Sequence, residues 1–347
     1  MTTTPRTVDW GGDAVLLIDQ TLLPDRLEVV RVTGSAALCE CIARLAVRGA
    51  PALGVAGALG VALAAVRGED VADAARSLAA ARPTAVNLGW GVRRVLALRE
   101  NGVEAMVAEA LRVLDEEVLL ERALAVRGAD LLDSLSAGGP LRVLTHCNTG
   151  ALAGVESGTA LGVLAEAHRR GRVVHVLATE TRPLLQGARL TAWELQRLDV
   201  PYSLLVDSAA AWVLARGLAG AVVVGADRIA ANGDVANKIG TLAHALAARH
   251  AGVPFVVVAP ESTVDPATAS GDDIAIEERD GSEVISWSGQ RLAPQGAAAF
   301  NPAFDVTPAA LVTAVVTERR VFRPALGEAA WDPAQAPGGA RAGGTLD

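Results

Sequence analysis

The sequence predicts an α/β protein: a mainly helical N-terminal domain followed by a parallel sheet wrapped by helices. Three observations lead there. Within the first 135 or so residues, segment 111–132 spaces its apolar residues three and four apart among Glu and Arg, the pattern of an amphipathic helix. Ala137-Gly138-Gly139-Pro140 then breaks the pattern. Beyond it, short apolar runs alternate with longer helical ones, which implies strands joined by helical crossovers.

Taken in order, segment 49–66 is uncharged over 18 residues, long enough to raise the question of a membrane span. It is mostly Ala and Gly, with Pro51 at its start and Arg67-Gly68-Glu69-Asp70 at its end, so a helix buried inside a large protein is the better reading. Strands are expected at 142–145, 173–179, 202–206, 221–224 and 254–259. Helices separate most of them, for instance at 152–170 and 239–250. The expected division is 1–135 for the helical domain, 136–334 for the sheet domain, and 335–347, rich in Ala, Gly and Pro, for a disordered tail.

Hydrophobic residues make up 51% of the 347 but aromatic ones only 3%, so Ala, Val and Leu must build the core. A net charge of -8 argues against nucleic acid or an anionic membrane as partner, while leaving room for a local anion pocket. Three cysteines, Cys39, Cys41 and Cys147, form no even disulfide framework, and Met1 to Pro5 shows no signal-peptide pattern. Both point to the cytoplasm.

In an open parallel sheet, ligands bind beyond the carboxyl ends of the strands. The expected strands deliver there Thr145-His146-Cys147-Asn148-Thr149-Gly150, Glu180-Thr181-Arg182, Asp207-Ser208, Gly225-Ala226-Asp227-Arg228 and Pro260-Glu261-Ser262. Cys39 and Cys41 read as small buried hydrophobes. Cys147 differs: it falls between a strand end and a small-residue turn opening a helix, where backbone amides would lower its pKa. His146 points the other way in an extended chain and reads as a packing residue. Asp227 is either an ion pair with its surroundings or a general acid or base whose pKa burial raises. Arg48-Gly49-Ala50-Pro51 offers a helix start with free amides for a phosphate. Of 31 basic residues, Lys238 alone is lysine, in a chain that otherwise uses arginine for positive charge. A compact ammonium that makes point contacts with phosphate or sugar oxygens explains its retention. The dinucleotide fingerprint, the P-loop, metal-ligand spacing and a nucleophile elbow are all missing from the sequence. The first of these disfavours a nicotinamide dehydrogenase.

These motifs, with Asp19-Gln20-Thr21-Leu22-Leu23-Pro24, Arg82-Pro83-Thr84-Ala85-Val86-Asn87-Leu88, Gln186-Gly187-Ala188-Arg189 and Asn301-Pro302-Ala303-Phe304-Asp305, occur in one order along nearly the whole chain. The chain thereby resembles the methylthioribose-1-phosphate isomerases, a branch of the family that includes the regulatory α, β and δ subunits of eukaryotic translation initiation factor 2B. The resemblance implies a Rossmann-like second domain, a homodimer, and neither cofactor nor metal. It implies a catalytic cysteine at Cys147 and an acid/base aspartate at Asp227. Substrate contacts are implied at Arg48, Gly49, Ala50, Arg82, Gln186, Asn237 and Lys238. The implied reaction turns 5-methylthioribose 1-phosphate into 5-methylthioribulose 1-phosphate in methionine salvage. The alternatives are an isomerase for 5-deoxyribose 1-phosphate or ribose 1,5-bisphosphate, and a non-catalytic binding protein like the initiation-factor subunits.

Overall fold

The structure is a computed structural model that describes residues 5–82, 85–135, 139–287 and 289–331. The expected tail and the start of the expected interdomain break lie outside these. Three short antiparallel strands, not anticipated from the sequence, open the chain: β1 (Val8–Trp10), β2 (Val15–Ile18) and β3 (Val29–Val32), with β2 in the middle. Only three or four residues each, they are too short for alternation to stand out beside the helices that follow.

Those helices are α1 (Ser35–Ala43), α2 (Ala50–Arg67), α3 (Val71–Ala80), α4 (Val86–Leu96) and α5 (Val103–Leu135). α2 is the expected core helix: every residue from Pro51 to Ala65 is buried. Its Ala- and Gly-rich composition has a packing reason where it crosses α4. A Cβ on Gly91 would stand 2.0 Å from the Gly54 carbonyl oxygen, so only glycine lets the two backbones approach this closely. α5 outruns its expected bounds at both ends. Its Val113 and Leu114 enter the core around α2, while Leu124, Leu131 and Leu132 enter the core beneath the large sheet.

From there the chain alternates as expected: β4 (Leu141–Thr145), α6 (Ala160–Arg169), β5 (Val173–Thr179), α7 (Ala192–Arg197), β6 (Tyr202–Leu205), α8 (Ala209–Ala215) and β7 (Ala221–Val224). A hairpin, β8 (Arg228–Ala230) and β9 (Val235–Lys238), precedes α9 (Thr241–Ala251) and β10 (Phe255–Val258). The remainder adds β11 (Val264–Asp265), α10 (Ser282–Ile285), the hairpin β12 (Ser286–Trp287) and β13 (Gln290–Arg291), then β14 (Phe304–Thr307), β15 (Ala314–Val316) and β16 (Val321–Phe322). The large sheet has the order β16-β15-β10-β7-β4-β5-β6, parallel except for β16. A four-stranded sheet, β11-β8-β9-β14, lies beside it.

One feature of this order positions the site. From β4 the chain moves outward through β5 and β6, then returns to place β7 on the other side of β4. The strand order reverses between β4 and β7, where Val143 lies opposite Ala221 and Leu144 opposite Val222. Cys147 and Asp227 follow the carboxyl ends of those two strands, so a reversal of topology brings them together across 80 positions of sequence.

The helix expected at 152–170 begins only at Ala160. A side chain distant in sequence holds the preceding loop out of helix. The buried carboxylate of Glu121, on α5, accepts from the backbone amides of Val155 (2.6 Å), Glu156 (2.9 Å), Ser157 (2.7 Å) and Gly158 (3.0 Å). Those donors are thereby satisfied without an intrahelical acceptor.

Candidate active site

Beyond the ends of β4 and β7 lies a cavity lined by all nine residues singled out above: Arg48, Gly49, Ala50, Arg82, Cys147, Gln186, Asp227, Asn237 and Lys238. Helix α2 presents Arg48, Gly49 and Ala50 from the N-terminal side. Gly49 has φ 90°, and a Cβ there would lie 2.3 Å from the Ala153 carbonyl oxygen, so glycine is required on both counts. The free amides expected at this helix start are fewer than the pattern suggested. Ala52 donates to Ala153 (3.1 Å) and Leu53 to Gly49 (3.0 Å), which leaves Gly49 and Ala50 without an acceptor among the described residues.

Cys147 is buried at φ 64°, its amide donating to Thr181 Oγ1 (2.9 Å) and its carbonyl accepting from Thr191 Oγ1 (2.6 Å). The expected lowering of its pKa is reversed. Burial pushes the thiol up, against the pull of Arg48 and Lys238, and Asp227 adds to the rise. The helix whose start was to stabilise the thiolate begins 13 residues later, at Ala160. His146 is the packing residue expected: buried, it meets Thr179 Oγ1 (2.6 Å) and the Ile239 carbonyl (2.8 Å), and burial lowers its pKa to about 4.

Asp227 does not pair with its neighbour Arg228, which turns to Asp265 at 3.7 Å. Asp227 is partly buried and lines the cavity. Burial raises its pKa, while Lys238, Arg82 and Arg48 pull it down. The β8–β9 hairpin folds back so that the Asp227 amide donates to Ala236 (3.0 Å), carrying Asn237 and Lys238 to the same cavity. Lys238 Nζ donates to the Ala303 carbonyl at 2.7 Å and stands 4.6 Å from the Phe304 ring centre. An ammonium has three donors, so two remain for a ligand. Asn237 Nδ2 donates to Thr241 Oγ1 (3.0 Å).

Arg48 donates to the side-chain and backbone oxygens of Asn148, and Arg82 lies 3.7 Å from Glu277. Three buried polar atoms on cavity-lining side chains lack a partner among the described residues: Arg48 Nε, Arg82 Nε and Gln186 Oε1. A ligand with several oxygens and a hydroxyl would satisfy all three. Other expected rim residues serve the loops instead. Asp207 accepts from the amides of Thr181 and Arg182 (2.7 Å each), and Glu261 lies 3.6 Å from Arg320. Arg279 and Leu184 line the cavity without having been singled out; the turn signals beside them, Asp280-Gly281 and Pro183, mark loops but not which loop residues face a ligand. Asn148 was within reach, quoted only as part of the cysteine motif.

A sequence profile of the initiation factor 2 subunit family matches residues 46–324, and the chain belongs to that family. Within it, the chain is 53% identical over 322 residues to methylthioribose-1-phosphate isomerase of Anaeromyxobacter sp. (strain K), covering 92% of this chain and 94% of the relative. It is 54% identical over 320 residues to the probable bifunctional methylthioribose-1-phosphate isomerase/methylthioribulose-1-phosphate dehydratase of Nocardia farcinica, covering 90% of this chain but 58% of that longer protein. The crystal structure of 5-methylthioribose 1-phosphate isomerase from Pyrococcus horikoshii OT3 superposes with a TM-score of 0.85 at 40% identity, covering 93% of this chain and 94% of that one.

Proposed function

We propose that this protein is an aldose–ketose isomerase of methionine salvage, converting 5-methylthioribose 1-phosphate to 5-methylthioribulose 1-phosphate. The observation that carries the reading is the convergence of the Cys147 thiol and the Asp227 carboxyl on one cavity edged by Arg48, Arg82 and Lys238. The similarity to isomerases over nine-tenths of the chain supports the choice of substrate. On this reading the site lies between a helical domain (1–135) and a catalytic domain (136–334) of a cytoplasmic homodimer.

Phosphorylation at C1 prevents the sugar from opening to a free aldehyde, so the ring bond must be broken with help. Asp227 gives its proton to the ring oxygen as the C1–O bond breaks. The hydrogen on C2 crosses to C1 with its electron pair, and the C2 hydroxyl returns a proton to Asp227 as the ketone forms. Burial already raises the Asp227 pKa against the pull of three cations, and a bound phosphate dianion offsets those cations, which favours the protonated acid further. The same effect keeps Cys147 a neutral thiol, a poor base. That favours a hydride shift in a dry pocket over proton abstraction. Arg48, Lys238 and the Gly49 and Ala50 amides hold the phosphate, with Arg82, Gln186 and Asn237 as further contacts.

The test is turnover of methylthioribose 1-phosphate, 5-deoxyribose 1-phosphate and ribose 1,5-bisphosphate by one preparation. The first should be turned over most efficiently. A preference for the bisphosphate overturns the substrate assignment, and no turnover of any of them overturns the enzyme. With deuterium at C2, the label should arrive on C1 of the product; extensive loss to solvent rules the hydride route out.

A further inference from the structure

The loop after β4 reaches α7 through contacts that the reaction above does not use. Glu194, on α7, is buried and is not among the residues lining the cavity. Its Oε1 accepts from Asn148 Nδ2 at 2.7 Å and from the Leu152 amide at 3.4 Å. Asn148 Nδ2 also donates to Thr191 Oγ1 at 3.2 Å. On the other side of the same amide, Asn148 Oδ1 accepts from Arg48, whose second guanidinium nitrogen is 3.5 Å from the Asn148 carbonyl. The chemistry allows only one orientation. A guanidinium only donates, so the amide oxygen must face Arg48 and its nitrogen must face Glu194, whose carboxyl burial raises to a pKa of about 7 while the Asn148 hydrogen bond pulls it down.

We infer that Glu194 is a positioning residue for the phosphate end of the site: it turns the Asn148 amide so that its carbonyl holds the Arg48 guanidinium in place for an anion. The inference rests on the anion-binding reading of Arg48 given above. Three features favour it over mere packing. The relay joins two elements far apart in sequence, each link is a directional hydrogen bond, and the link to Arg48 involves a charged partner, the stronger kind. Leucine in place of Glu194 would leave Nδ2 of Asn148 with Thr191 alone and free to rotate.

The test is a phosphate titration of the full-length protein by calorimetry, beside steady-state kinetics and thermal unfolding. Glu194→Ala should weaken inorganic phosphate binding about tenfold and raise KM more than it lowers kcat, the scale of one buried hydrogen bond. Glu194→Gln keeps an oxygen that accepts from Asn148 and should stay within about threefold of the parent. A Glu194→Ala protein that binds phosphate as the parent does overturns the relay. A parent that binds no phosphate overturns the anion reading of Arg48, and the relay with it. Should Glu194→Ala fail to fold, Asn148→Asp and the double variant N148D/E194Q decide. The single change sets two carboxylates face to face, and the double change restores an amide opposite a carboxylate. The double variant should bind phosphate at least about fivefold more tightly than N148D; equal affinities overturn the relay.

Discussion

At the scale of single residues, the site is a contest between burial and positive charge. Asp227 and Cys147 are both pushed up by burial and both pulled down by Arg48 and Lys238. Asp227→Asn keeps the shape but loses the proton donor, so turnover should fall by about 10²–10⁴-fold while substrate affinity changes little. A nearly unaltered kcat would remove Asp227 from the acid role. Lys238→Arg keeps the charge, yet a planar fork cannot both bond the Ala303 carbonyl and present point donors from the same spot. Its kcat/KM should drop at least about tenfold; full activity would mean that any cation suffices there. Lys238 was legible because it is the one lysine among 31 basic residues. The Glu194–Asn148–Arg48 relay was not, since nothing in a helix pattern marks which glutamate turns inward.

At the scale of elements, close backbone approach sets the frame. Gly91→Ala raises the intrinsic helix propensity of α4 by about 1 kcal/mol. The added Cβ meets the Gly54 carbonyl at 2.0 Å, however, and separating α2 from α4 should cost more, about 1–3 kcal/mol net. Urea unfolding measures the balance, and a stabilised variant would show that the crossing is looser than described. Five of the seven strands of the large sheet, β4, β5, β6, β7 and β10, were legible within a residue or two because apolar runs bounded by polar turns have few other uses; β15 and β16 were missed. The strands of the smaller sheets were not, being too short to carry a pattern. Segment 152–170 misled for a different reason: its residues suit a helix, but Glu121 gives its first amides other acceptors.

At the scale of the whole molecule, buried carboxyls tie stability to pH. Glu117 on α5 faces Glu121 and Glu318, and burial, with those two charges, raises its pKa from 4.5 to about 8. A folded pKa above the unfolded one means the group is harmless below 4.5 and destabilises increasingly as pH rises toward 8. Glu117→Gln should therefore gain stability over the parent at pH 8 relative to pH 4.5, by on the order of a few kcal/mol. Chemical denaturation at the two pH values reads the difference. A gain that does not depend on pH would mean that Glu117 is ionised in the folded chain.

The sequence by itself determined the α/β class, the order of the main strands and the residue types able to hold a sugar phosphate, because periodicity, turn chemistry and side-chain charge are local properties. Only the tertiary structure decided that Cys147 and Asp227 share a cavity, since that follows from the strand-order reversal between β4 and β7. It also decided that the thiol stays protonated rather than being activated. Desolvation depends on what surrounds a group in space, and no spacing along the chain reports it.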